Sequence, residues 1–349
     1  MILLHRKGEK EWNLAARGGS LGEEGRHRNR WLCPGSGATS YCVIIPVGPS
    51  SADVARVHDL LDSLWTYERE TPLVLLIDDG GRDRALGNVF AVPPTCRLVT
   101  ILNTRNGRGV GETSGLAAGM LLALSWVHRN APDAWVLKLD TDALVIGPFC
   151  LKIAGAFGAD PSIGMVGLYD RHCDGTPRDQ SDFRRMLRKL LAPVAIWRKP
   201  QTRTGYLTLH LWGRGDTIRR QIREAISAGY RSADFILGGA YGLGSHAICR
   251  MAERGYFADP FLWLHTYVSE DVVLSMYTCA VGLRLHGMTG DNEPFAVQHY
   301  GIPDTPERLV ARGYSIVHSV KSDARFPESE IRRVFADQRG GPTKWPVLL

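Results

Sequence analysis

Four short apolar runs constrain this chain most: YCVIIPV (41–47), PLVLLID (72–78), CRLVTIL (96–102) and AWVLKLD (134–140). Each is nearly continuous rather than alternating, and each is rich in Val, Ile and Leu. Strands of that kind are buried on both faces, which requires helices packed above and below a mainly parallel sheet. The intervening segments supply them. Residues 53–67 place Val54, Val57, Leu60, Leu61, Leu64 and Trp65 at helical spacing, and ETSGLAAGMLLALSWVHRN (112–130) reads as a mostly apolar helix. Strand–helix–strand alternation predicts an α/β layer.

The second half is less regular. IGMVGLY (163–169) reads as a strand, residues 216–228 as an amphipathic helix, GGAYGLGS (238–245) as a Gly-rich turn, and 246–254 and 269–282 as helices. Residues 1–40, rich in Gly and Arg, read as a flexible extension. The tail from Phe326 reads as polar and peripheral. Apolar residues make up 44% of the 349, enough for a core and against wholesale disorder. Seven cysteines without a C-x-x-C spacing indicate neither a zinc cage nor a complete disulfide framework. With no apolar run long enough for a bilayer span, a soluble, cytoplasmic protein is expected. The net charge of +6 is dispersed and matches no nucleic-acid-binding pattern, so no nucleic-acid partner is expected.

Chemistry-bearing residues fall at the ends of these elements. Asp140 and Asp142 leave the fourth strand, where open α/β sheets bind ligands, and two carboxylates so spaced can share a hard divalent cation. Asp78 and Asp79 end the second strand and can accept hydrogen bonds from a base or ribose. The segment NTRNGRGVGETSG (103–115) carries Arg105, Arg108 and four glycines ahead of a helix N-terminus suited to phosphate, yet fits neither a dinucleotide fingerprint nor a P-loop. Glu270 and Asp271 follow Ser269 at a helix start, either as first-turn acids below an N-cap or as a general base. His318, in YSIVHSVK, can donate to a metal as a neutral imidazole. Each feature alone also reads as a turn, a cap or a surface residue.

Their order along the chain carries more. IIPV, IDDG, LKLDTDALV, GGAYGLGS, SEDVVLS and VHSVK together resemble the GT-A superfamily of nucleotide-sugar glycosyltransferases over residues 41–321. The first strand and IDDG are similar to family 2 enzymes. The stretches WVLKLDTDALV, GGAYGLGSHAICRM and SEDVVLSMYTCAVG are similar to fringe-like and β1,3-glycosyltransferases. The resemblance implies a GT-A fold, a Rossmann-like mostly parallel sheet flanked by helices, with a nucleotide-binding half (41–145), an acceptor half (146–321) and a C-terminal tail (322–349).

It also implies a metal-dependent inverting transfer from a nucleoside-diphosphate sugar, UDP above all, to a carbohydrate or other hydroxyl acceptor. Pro46, Val47 and Asp78 or Asp79 would flank uracil and ribose; from the 103–115 loop itself, Arg105 or Arg108 can touch a nucleotide. Asp140 would meet the ribose or the metal, Asp142 and His318 would ligate Mn2+ or Mg2+, and Lys321 would approach the diphosphate. Asp271 would be the base, Glu270 would orient the acceptor, and Gly238, Gly239 and Ala240 would wall the donor sugar. IDDGG departs from the usual D-D-x-S ending, and 170–235 matches no acceptor motif. A nucleotidyltransferase of related fold and a non-catalytic nucleotide- or sugar-binding module are the alternatives. The basic, apolar-interleaved stretch 183–200 suggests an anionic partner, a membrane surface among them.

Overall fold

The computed structural model describes residues 40–68, 73–80, 86, 89–93, 96–105, 111–191, 214–231, 234–264 and 266–340. Residues 1–39 of the expected N-terminal extension, Arg108 and residues 192–200 of the basic stretch lie outside the described residues.

The four apolar runs form the strands the sequence predicts: β1 (Tyr41–Val47), β2 (Leu73–Asp78), β3 (Arg97–Leu102) and β4 (Trp135–Leu139). β1 pairs in parallel with β2 on one side and β4 on the other, and β2 pairs in parallel with β3. The alternation of side chains between faces is visible in the packing. Cys42, Ile44, Leu73 and Leu75 enter one core, while Tyr41, Val43, Ile45, Val74 and Leu76 enter the other. Helix α1 (Ser51–Tyr67) covers the second face with Val57, Leu60, Leu61 and Leu64, and α2 (Gly111–Asn130) covers the first with Ala117, Leu121 and Leu124.

Beyond β4 the sheet becomes mixed. β6 (Ile163–Gly167) follows α3 (Cys150–Ala159), and β7 (Ala240–Leu243) runs antiparallel between β4 and β6. β8 (Arg284–Gly287) pairs in parallel with β6, giving the order β3-β2-β1-β4-β7-β6-β8. The Gly-rich stretch expected as a turn therefore contains a fully buried strand. Its glycines answer to crowding: a Cβ on Gly242 would stand 2.7 Å from Val166 and 3.2 Å from Ile153.

A second sheet of three strands, order β5-β10-β9, joins β5 (Leu144–Val145), β9 (Phe295–Val297) and β10 (Ile316–His318). The helices α4 (Ser181–Leu191), α5 (Arg214–Ser227), α6 (Ser245–Glu253) and α7 (Glu270–Ala280) belong to the second half. Leu187 and Leu190 of α4 are buried, and Phe183 packs on Phe235 with ring centroids 4.6 Å apart. The apolar side of that basic stretch is thus spent on the protein where it is described. After α8 (Pro306–Ala311), the tail read as peripheral forms α9 (Glu328–Gln338), which buries Ile331 and Phe335 in the α1-side core. Among the described residues no helix is long and apolar enough to cross a membrane.

Candidate active site

The chain lays down β1, β2 and β3 in one direction and then returns to place β4 on the other side of β1. Loops leaving β1 and β4 diverge at that point, opening a crevice at the carboxyl ends of the strands where such sheets take ligands. Val47, Asp78, Asn103 and Asp140 all lie at this edge. The antiparallel β7 brings its amino end there too, and the Asp140 N–H donates to the Gly239 carbonyl at 3.0 Å.

The small sheet explains why a histidine 176 residues away in sequence meets the aspartates. β10 runs antiparallel to β5, with Val317 opposite Leu144, so His318 arrives beside Asp142. The Val320 N–H donates to the Asp142 carbonyl at 3.0 Å and closes the corner. His318 Nε2 stands 3.5 Å from Asp142 Oδ1 and 3.6 Å from Asp140 Oδ2. One donor atom from each of the three lies within 4.8 Å of the others. Two ligands each about 2.1 Å from an ion and at 90–110° stand roughly 3.0–3.4 Å apart, so these separations suit one cation.

The surrounding bonds aim the donors. His318 Nδ1 is 2.9 Å from the Gln298 carbonyl, which can only accept. A proton therefore sits on Nδ1, and a neutral ring so held turns its Nε2 lone pair to the aspartates, the arrangement seen around metal-bound imidazoles. Asp142 Oδ2 accepts the Ser319 hydroxyl at 2.5 Å and has Lys321 Nζ at 3.4 Å. Asp140 Oδ1 takes Lys138 Nζ at 2.7 Å. Each aspartate thus anchors one oxygen in the protein and turns the other to a shared point. Burial alone would push the Asp142 carboxyl up, but the hydrogen bonds and positive charge around it hold it well below the ordinary carboxylate range.

Glu270 and Asp271 open α7 and are both buried. Ser269 holds the N-cap position, yet its hydroxyl donates to Asp271 Oδ1 instead of capping the helix. Asp271 Oδ1 also accepts the Val272 N–H at 2.8 Å. Glu270 Oε1 receives Lys138 Nζ at 3.1 Å, and Lys138 donates as well to the Gly238 carbonyl. Desolvation raises both acids; Lys138 eases Glu270 while Asp271 and Asp140 push it further up, and the Ser269 hydroxyl and Lys138 ease Asp271. For Lys138 itself burial acts downward, but Asp140 and Glu270 outweigh it and keep the ammonium charged.

Gly238 and Gly239 pass between the two groups. A Cβ on Gly238 would sit 2.9 Å from both Asp271 Oδ2 and Glu270 Oε1, and one on Gly239 would fall 2.1 Å from His318 Nδ1. Ala240 follows as the first, fully buried residue of β7.

Further along the edge, Asp79 is forked by Arg105, whose Nε donates to Oδ1 at 2.8 Å. Asp78 is buried, and its Oδ1 accepts the Gly80 N–H at 2.8 Å. Val47 is buried and its carbonyl accepts the Asp79 N–H, while Pro46 beside it is partly exposed.

Two site residues escape a sequence reading. Lys138 is one, though a lone charge inside the apolar run WVLKL marks it. Arg178 is the other. It donates to the carbonyls of Leu168, Tyr169 and Phe235 and lies over the Phe235 ring at 4.6 Å. Burial lowers it to about 10, against the opposing pull of Asp271 and Asp170. No local pattern announces it.

No protein-family model and no curated protein matches the chain. Among solved structures it is similar to the galactosyltransferase LgtC bound to donor and acceptor sugar analogues, at 10% identity, covering 87% of this chain and 97% of that one, with a TM-score of 0.43. It is also similar to mouse xyloside xylosyltransferase 1 (12% identity, 71% and 85% covered, TM-score 0.38). A third is a mannosyltransferase from Pyrobaculum calidifontis in complex with GDP-mannose and Mn2+ (15% identity, 74% and 59% covered, TM-score 0.36). Likenesses at this level leave the functional reading to the residues themselves.

Proposed function

We propose that this protein is a metal-dependent glycosyltransferase of GT-A type, moving a sugar from a nucleoside-diphosphate donor, UDP-linked, to an acceptor hydroxyl with inversion. The observation that carries this reading is one sheet edge bearing an Asp140–Asp142–His318 donor set and, across the Gly238–Gly239 step, the buried acids Glu270 and Asp271. In this reading residues 41–145 bind the nucleotide and 146–321 the acceptor.

The donor set suits Mn2+ or Mg2+, which would stabilise the charge that builds on the departing diphosphate as a Lewis acid. Lys321, half-exposed beside Asp142, is placed to meet the same phosphates. Pro46, Val47, Asp78 and Asp79 line the nucleotide side, with Arg105 fixing Asp79. The paired glycines give a side-chain-free wall against which a sugar ring can lie close to both groups. Asp271 is the base: Lys138 engages the Glu270 carboxylate, whereas the Ser269 and Val272 bonds to Asp271 both fall on Oδ1 and leave Oδ2 facing Gly238. A carboxylate taking the proton from an attacking hydroxyl, opposite the leaving diphosphate, inverts the anomeric carbon.

The test is a panel of nucleotide sugars with MnCl2 and purified protein, assayed separately for nucleoside diphosphate and pyrophosphate. Metal-dependent release of a nucleoside diphosphate is expected. Pyrophosphate would instead indicate a nucleotidyltransferase, and neither product together with no metal-dependent UDP binding would sink the assignment.

A further inference from the structure

A lysine with no exposed surface in the middle of a central strand is costly, because the ammonium gives up its water and recovers only through close partners. Lys138 is such a residue, held by Asp140 Oδ1 at 2.7 Å, Glu270 Oε1 at 3.1 Å and the Gly238 carbonyl. A second ammonium, Lys321, stands 3.4 Å from Asp142 Oδ2. Each of the two aspartates that face the shared donor point therefore carries its own ammonium on the oxygen turned away from it. The nearby guanidinium of Arg56 is committed to Glu328 and Asp53. The two carboxylates at the donor point therefore face two ammonium groups, of which Lys138 is shared with Glu270.

That opposition has a consequence for a dication. Two carboxylates attract it, but two ammonium groups on the same carboxylates repel it from only a few ångströms further off. We propose, on the glycosyltransferase reading given above, that Lys138 and Lys321 offset the carboxylate charge of the Asp140–Asp142–His318 site, so that it takes a divalent ion only together with a nucleoside diphosphate. The phosphate oxygens bring the negative charge and the remaining oxygen ligands that the protein withholds. Ion and nucleotide are then strongly coupled, each raising the affinity for the other by the same factor. The two lysines divide the task. Lys321 is half-exposed on a flexible stem and can move from Asp142 to an arriving phosphate. Lys138 is enclosed and cannot leave, so it remains as a fixed counter-charge that discourages occupation by the ion alone.

Calorimetry separates the possibilities, using MnCl2 alone, UDP alone, and UDP in saturating MnCl2. For the wild type, Mn2+ alone should bind weakly, and UDP should bind at least about tenfold more tightly when Mn2+ is present. Lys138→Met keeps the apolar stem and removes the charge. It should bind Mn2+ alone at least about tenfold more tightly than the wild type, with the Mn2+–UDP coupling reduced to match. A lysine that merely braced Asp140 would give the opposite sign, because a loosened aspartate binds metal less well. Near-ultraviolet circular dichroism checks that the variant is folded. Lys321→Met, altering a half-exposed side chain, tests the same sign independently and should also tighten Mn2+ alone.

A folded Lys138→Met that binds Mn2+ no tighter than the wild type overturns the proposal, as does an unchanged Lys321→Met where Lys138→Met fails to fold. Wild-type protein that binds Mn2+ equally well with and without UDP, through a site lost in Asp142→Asn, also overturns it while leaving the metal site standing. Wild-type protein that binds Mn2+ under neither condition removes the metal-site reading and the proposal together.

Discussion

At the residue scale, the two acids of α7 differ in what they are free to do. Lys138 engages Glu270, whereas Asp271 presents an oxygen toward Gly238. Asp271→Asn preserves size and the bonds from Ser269 and Val272, so UDP affinity and melting temperature should stay near wild type. Transfer should fall by about a hundredfold or more, the usual cost of a lost general base. Glu270→Gln should lose less; the reverse ranking in initial-rate measurements would exchange their roles. Gly239→Ala offers a different probe. Its methyl would need the space of the His318 ring, 2.1 Å from Nδ1, so the imidazole must turn and lose its bond to Gln298. Mn2+-dependent UDP binding should weaken about tenfold or more, with a destabilisation of about 1–3 kcal/mol from the forced repacking. Gly155→Ala on α3, where nothing lies within 4 Å of the added methyl, should be stabilised slightly and bind UDP normally. Equal behaviour of the two variants would contradict the close approach. Much of this site was legible from residue types at element ends: Asp140, Asp142, His318, Glu270 and Asp271. Their supports were not. Ser319 acts through proximity created by the β5–β10 pairing and the Gln298 carbonyl through the β9–β10 pairing, and a backbone acceptor leaves no trace in a sequence.

At the element scale, β1 to β4 were readable because strands buried on both faces must be apolar throughout, and nothing else in a chain this polar looks similar. β7 was obscured for an equally physical reason. Where β6 and α3 crowd the sheet, only glycine fits, and glycine in a sequence announces a turn. Helix α9 was obscured by its charges, which are its means of attachment. Arg56 binds Glu328 through two contacts of 2.8 Å, Arg332 reaches Asp59 at 2.6 Å, and Arg339 reaches Asp59 and Asp62. Arg56 also contacts Asp53, whose other neighbours are Ser50 and, at 3.5 Å, Thr141 between the two site aspartates. The hydrogen bond from Arg56, opposed by partial burial and aided by Arg332, holds Glu328 below its ordinary value. A carboxylate depressed in the folded state stabilises fully above its unfolded pKa and loses that contribution as pH falls through the folded value. Hydrogen-exchange protection of residues 328–338 should therefore decline below about pH 4 before that of β1 and β2. Glu328→Gln should weaken helix docking by about 1–2 kcal/mol at neutral pH and flatten the acid response. Protection identical to wild type across the range would show that apolar contacts of Ile331 and Phe335 alone hold the helix.

At the scale of the whole molecule, the cores on either face of the sheet are closed by apolar side chains, and the site residues are supported by protein partners. Asp142 has Ser319 and Lys321, Asp140 has Lys138, and His318 has Gln298. A metal here would be a working part and not a structural one, which distinguishes this fold from small domains that depend on their ion to fold. Chelation of the purified protein should then leave the melting temperature within about 1 °C, the small response expected when a weakly held ion is removed. Binding of ion and nucleotide together should show in the opposite direction. A ligand at a hundred times its dissociation constant adds about 2.7 kcal/mol to the folded state, worth roughly 4–5 °C for a domain of this size. UDP with Mn2+ should produce a shift of that order, larger than the sum of the shifts with UDP alone and Mn2+ alone. The excess should vanish in Asp142→Asn, which keeps the shape of the side chain and halves the charge offered to the ion. A fall of 10 °C or so on chelation alone would mean that the ion holds the structure, and purely additive shifts would mean that nucleotide and ion occupy separate places on the molecule.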